Sequence, residues 1–188
     1  MREARRPPLR SDAEQNRARI LDVARTALAE SAGASLNSIA KLAGVGPGTL
    51  YRHFPNREAL MLAVYRQDVR DLVDAAPALL AEHPPFEALR LWFGRLASYG
   101  RIKHGLAQLL DAVTSADLAG ETYGPVVDAI TLLLDAGKDT GTVRPDVDAD
   151  EVLLLVGFLW RIDAGADWDA RARHMLGLVM DGLRPPPG

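Results

Sequence analysis

The chain has 188 residues, of which 48% are apolar and 25% charged, with no cysteine and a net charge of −3. That length holds one large domain or two small ones with an ordinary core, and the absence of cysteine excludes disulfides, thiolate metal sites and a cysteine nucleophile. No apolar run reaches the roughly 18 residues of a spanning helix, the densest being Val152 to Trp160, so no membrane association is expected.

The net charge conceals an asymmetry. Met1 to Arg57 carries ten Lys or Arg against five Asp or Glu, which leaves −8 on the remainder. A basic N-terminal third suits either a phosphate-facing surface or a solubilising tail. The arginine-rich start is not followed by an apolar signal core, so no export segment is expected and a cytoplasmic location fits.

In chain order, Ile20, Val23, Ala24, Ala27 and Leu28 recur at helical spacing and predict a first helix from about Asp12 to Ser31, ended by Gly33. Ser35 is a good N-cap for a short second helix, Leu36 to Ala43, burying Leu36, Ile39, Ala40 and Ala43 and stopped by Gly44. A third short helix, Pro47 to Phe54, turns Leu50 and Phe54 inward. Asn56 caps a fourth that starts near Arg57 and that Pro77 should kink or end. Further helices are expected at about Phe86 to Lys103, Gly105 to Thr114, Glu121 to Thr140, Asp150 to Ala164 and Asp169 to Leu183, about nine in all. No alternating β-branched run interrupts them, so the fold class is all-α. The expected divisions are a basic arm over 1–11, a first domain over 12–57, a second over 58–184 and a tail over 185–188.

Two short helices joined by Gly44 and Val45, after a longer one, make a helix-turn-helix; a plain helical hairpin is the alternative on turn chemistry alone. The run Arg17 to Tyr65, with "IAKLAGVGPGTLYRHFPNREAL" at its centre, resembles the DNA-binding domain of the tetracycline-repressor (TetR) family of bacterial transcription regulators. The segments "LRLWFGRLASY", "DVDADEVLLLVGFLW" and "DGLRP" resemble the SbtR-like regulatory domain within that family. The resemblance implies a homodimer, a palindromic double-stranded DNA operator and a helical C-terminal domain that binds a small-molecule effector, most simply a repressor released by that effector.

Gly46 suits an N-cap and Pro47 the first helical turn, where its missing N–H has no intrahelical partner to lose. Gly48 lowers helix propensity by roughly 1 kcal/mol, yet its lack of a side chain lets the helix start approach a duplex closely. Relatives commonly carry a serine at the position of Gly46 and a polar residue at that of Pro47, so base reading is expected to shift to Thr49 and Asn37. Tyr51, His53 and Arg57 match family positions that hold the phosphate backbone, Ser35 adds a backbone contact, and Arg52 is open between phosphate and base. Arg2, Arg5, Arg6 and Arg10 form an arm suited to the adjacent minor groove.

Catalytic signals are lacking. His53, His83, His104 and His174 have no ligand-like spacing, "GVGPGTL" lacks the third glycine of a dinucleotide loop and the lysine of a P-loop, and no cofactor is expected. "DVDADE", Asp146 to Glu151, fails as a calcium loop because it has Glu151 at the sixth position and Gly157 at the twelfth; its acids suit a helix N-terminus.

The segment Asp150 to Ala164 is apolar nearly all round, so Val152, Leu155, Val156 and Leu159, with Met175, Leu178, Val179 and Gly182 of the last helix, are the expected dimer interface. Trp92, Leu96, Tyr99, Leu109, Val113, Tyr123 and Phe158, with His104 and Asp111 as polar groups, are the expected effector pocket, although a bulky residue at helical spacing is, taken singly, more often core than pocket. A helical small-molecule-binding protein or enzyme without DNA binding is the competing class, and the basic N-terminal third counts against it.

Overall fold

The computed structural model describes residues 10–30, 33–107, 112–162 and 167–186. Among the described residues the chain is all-helical: α1 Arg10–Glu30, α2 Leu36–Leu42, α3 Pro47–His53, α4 Arg57–Glu82, α5 Pro85–Ala107, α6 Ala112–Asp139, α7 Ala149–Leu155, a 3-10 helix Val156–Trp160, and α8 Trp168–Gly182. Two compact units are formed, Met1–Val64 and Tyr65–Gly188.

In the first unit α1 buries Ile20, Leu21, Ala24, Ala27 and Leu28, α2 buries Ile39 and Ala40, and Leu50 and Phe54 close the interior. Leu36 and Val23, expected inside, are half-buried. The Arg17 guanidinium lies 5.5 Å from the Phe54 ring centre, a cation–π contact that covers the aromatic face. The Ala59 N–H donates to Asn56 Oδ1 at 2.8 Å, so Asn56 caps α4.

The core of the second unit joins Leu72, Ala76 and Leu79 of α4 to Trp92 and Phe93 of α5, Ile130, Leu133 and Leu134 of α6, Val152 of α7, and Leu176 and Met180 of α8. Trp92 and Phe93 meet edge to face at 5.8 Å. α6 ends on Gly141, whose φ of +66° is the left-handed conformation that glycine adopts without strain. The Thr142 N–H then donates to the Gly137 carbonyl at 2.9 Å, and the Gly141 N–H to that of Lys138 at 2.9 Å. Asp148 caps α7 in a reciprocal capping box with Glu151, which is where two acids of the calcium-like run are used.

Several expectations are corrected. α1 begins at Arg10, so Arg10 and Ser11 belong to the helix rather than to an arm. Pro77 does not end α4, because Ala75, Ala76 and Leu79 around it are buried in the core and hold the helix while the proline faces solvent. The separate helix expected at Gly105 to Thr114 is not formed as such: Gly105 lies in α5, residues 108–111 are outside the described set, and α6 already runs from Ala112. The helix expected over Asp150 to Ala164 tightens into a 3-10 turn after Leu155.

Candidate functional site

The turn between α2 and α3 is built by its glycine. Gly44 sits at φ +65°, its N–H donates to the Lys41 carbonyl at 3.2 Å and the Val45 N–H donates to that of Ala40 at 3.0 Å, the paired bonds of a Schellman stop. Any other residue at Gly44 meets the steric penalty of the left-handed region. Gly46 then serves as the N-cap of α3 in extended conformation, and Pro47 begins the helix.

This geometry leaves one face of α3 open. Leu50 is fully buried beneath it, while Pro47, Gly48, Tyr51 and Arg52 are exposed and Thr49 and His53 are half-exposed. A Cβ placed on Gly46 or Gly48 would meet nothing within 4 Å, so neither glycine is demanded by packing inside the chain. Arg52 lies back along the helix, its Nε donating to the Gly48 carbonyl at 3.1 Å. Asn37 is exposed in the first turn of α2. The Ser35 hydroxyl is engaged as that helix's cap, accepting from the Ser38 N–H at 3.1 Å and reaching the Ser38 hydroxyl at 3.2 Å. Arg57, half-buried, donates to the Ala34 carbonyl and so ties the start of α4 to the entry of α2. Arg2, Arg5 and Arg6 lie outside the described residues.

The second unit contains a cavity of about 620 Å³, within the range of small-molecule sites. Leu96, Tyr99, Tyr123 and Phe158 line it as expected from the sequence. Trp92 does not: it is fully buried in the core, and its indole N–H donates to the Leu72 carbonyl at 2.8 Å, which satisfies its one polar group away from the cavity. Leu109 and Asp111 lie outside the described residues, as do the side chains of His104 and Val113.

Sequence reasoning missed Tyr65, Val69 and Thr122, and assigned Leu153, Asp150 and Arg161 no place in the site, yet all six line it. Burial raises the Tyr65 phenol, partly offset by its hydrogen bond with the Thr122 hydroxyl, and the Asp68 charge adds to the rise. The Tyr123 hydroxyl donates to the Asp150 carboxylate, and that bond, with some desolvation, holds the phenol protonated beyond its ordinary range.

The residues expected at a dimer seam divide. Val152, Val156 and Leu159 are at most 1% exposed and belong to the second unit's own core, so they are corrected to core residues. Leu155 and Leu178 are 56% and 61% exposed. Met175 and Val179 are half-buried against the core and Gly182 is exposed. One side of α7 faces the core and Leu153, Leu154 and Leu155 border the cavity, but Leu154 and Leu155 remain 81% and 56% exposed.

The helix-turn-helix and the helical second unit match two family models. "Bacterial regulatory proteins, tetR family" covers residues 20–64, and "Transcriptional regulator SbtR-like, C-terminal domain" covers residues 84–185, more than half of the chain. The chain belongs to the TetR family of transcriptional regulators. A TetR transcriptional regulator from Streptomyces coelicolor is 41% identical, with 91% of this chain and 99% of that one covered and a TM-score of 0.79. A TetR transcription regulatory protein from Mycobacterium vanbaalenii is 36% identical, with 95% and 100% covered and a TM-score of 0.71. The HTH-type transcriptional regulator UidR of Escherichia coli is 40% identical over 62 residues, a match spanning 32% of this chain and 32% of UidR. These relatives are regulators and not enzymes, which removes the competing enzymatic class. TetR regulators bind DNA operators, act as dimers and bind small-molecule effectors. Among the described residues no helix is long and apolar enough to cross a membrane, and no group of His, Asp or Glu is arranged to hold a metal ion.

Proposed function

We propose that this TetR-family chain is a cytoplasmic repressor that holds a palindromic operator as a homodimer and is released when a small-molecule effector fills the cavity of its second unit. In this reading residues 12–57 bind DNA, residues 58–184 bind the effector and the second copy, Arg2, Arg5 and Arg6 ahead of α1 enter the minor groove, and 185–188 is a tail. The observation that carries it is the open face of α3: four exposed residues over a buried Leu50, with two glycines that the chain's own packing does not require. Thr49 and Asn37 read bases. Tyr51, His53, Arg52 and Arg57 meet phosphates, Arg57 while also holding the entry of α2 in place, and Ser35 contributes through the helix it caps.

The dimer is attributed to the exposed Leu155 and Leu178, with Met175, Val179 and Gly182 beside them. α4 supplies a covalent route for release: one helix, Arg57–Glu82, starts in the first unit and contributes Tyr65, Val69 and Leu72 to the cavity in the second.

Competition binding to a DNA site selected by the native protein, at two salt concentrations, tests the assignment of roles. Each neutralised phosphate contributes roughly 0.9 to the log–log salt slope, so Arg57→Ala, checked by melting to be folded, should weaken specific and random duplexes alike and reduce a dimer's slope by about 2. Asn37→Ala should keep the slope, lose roughly 1–3 kcal/mol per base contact, and tolerate a changed base pair in each half-site. A variant pair with no effect on either duplex contradicts the DNA-binding assignment.

A further inference from the structure

Two charged side chains line the cavity, Asp150 and Arg161, and both come from the segment formed by α7 and the 3-10 helix. Asp150 opens α7, whereas Arg161 follows the 3-10 helix. Helical rises of about 1.5 and 2.0 Å per residue separate their backbones by roughly 15–20 Å. Between them, on the same segment, the wall carries no polar side chain, being formed by Leu153, Leu154, Leu155, Gly157 and Phe158. Along this wall an apolar stretch therefore runs between a carboxylate and a guanidinium.

The two charged groups differ in what they still need. Asp150 already accepts a hydrogen bond from the Tyr123 hydroxyl. Arg161 is exposed, and among the described residues its guanidinium has no ion-pair or hydrogen-bond partner, although it offers five donors in a planar fork that fits a carboxylate.

We propose that the cavity takes an elongated amphipathic carboxylate, its apolar body along the Leu153, Leu154 and Phe158 wall and its carboxylate on the Arg161 guanidinium. A saturated chain of about a dozen carbons matches the length and leaves room in a volume equal to roughly twenty water-sized units. This inference rests on the reading of the cavity as the effector site.

Titration calorimetry of the full chain with dodecanoate, 1-dodecanol and dodecylamine, each below its aggregation threshold, tests both. Dodecanoate should bind at least about tenfold more tightly than dodecanol, the size of a charge-assisted hydrogen bond. Arg161→Gln should remove that advantage while leaving dodecanol unchanged, and Arg161→Lys should retain most of it. Leu153→Trp, which fills the wall, should weaken the acid and the alcohol together. Equal affinity for acid and alcohol, a preference for the amine, or an Arg161→Gln variant with full acid affinity overturns the carboxylate assignment while the cavity remains a binding site. Binding that survives Leu153→Trp, or binding of none of the three by the native chain, overturns the effector-site reading and the carboxylate assignment with it.

Discussion

Gly48→Ala separates folding from function because it should change them in opposite directions. Gly48 lies in the first turn of α3, its φ is not positive, and an added Cβ would meet no atom of the chain within 4 Å. Alanine therefore fits the native backbone and restricts the unfolded chain, which stabilises by about 0.4–1 kcal/mol. For a chain of this size that raises the melting temperature by about 1–4 °C. If the α3 backbone lies against DNA at this point, the same methyl group displaces the helix from the duplex. A cost of about 1 kcal/mol in each half-site amounts to about thirtyfold for a dimer. Thermal melting followed by circular dichroism, beside fluorescence anisotropy on a DNA site selected by the native protein, reads both effects. A stabilised variant with undiminished DNA affinity would refute close approach at Gly48, and a destabilised one would refute the assigned backbone conformation.

Three further outcomes follow from the second unit. Leu178→Asp, on an exposed apolar position, should convert a dimer to a folded monomer in light scattering, whereas an unchanged mass would remove this face from the interface. Gly137→Ala should destabilise by about 1–3 kcal/mol, because the new Cβ falls 2.4 Å from Val143 Cγ2; Val143→Ala in the same chain should restore part of the loss in a melting experiment. The Asp146 carboxyl is held at about 2 by its hydrogen bonds from the Arg144 guanidinium. Its pKa is depressed, so the pair's contribution is complete above the ordinary value of 3.8 and is lost as pH falls through about 2. An NMR titration should give that midpoint, with Arg144→Gln returning it to the ordinary carboxylate range.

The helix-turn-helix was legible because its determinants are local. Ser35 as a cap, Gly44 in the left-handed turn, Pro47 at the helix start and the Leu50/Phe54 pair each act within a few residues of themselves. The start of α6 was hidden for the complementary reason: Gly120, Gly124 and Pro125 interrupt the local pattern, while the burial of Val126, Ile130 and Leu133 against the core holds the helix. The cavity depends on α4, α5, α6, α7 and the 3-10 helix together, and nothing in a linear pattern distinguishes Trp92, which packs, from Tyr65 and Thr122, which line. Val152, Val156 and Leu159 illustrate the same limit, since an apolar helix facing a core and a cavity reads like one facing a partner.

Selection of DNA from a random duplex pool by the purified chain, followed by footprinting of the enriched sequence, tests the proposed function most directly. An inverted repeat should emerge, its half-sites centred about one helical turn, roughly 34–36 Å, or a multiple of that apart, with both halves protected together. No enrichment over the starting pool, or a single asymmetric half-site protected by one copy, would contradict a dimeric operator-binding regulator.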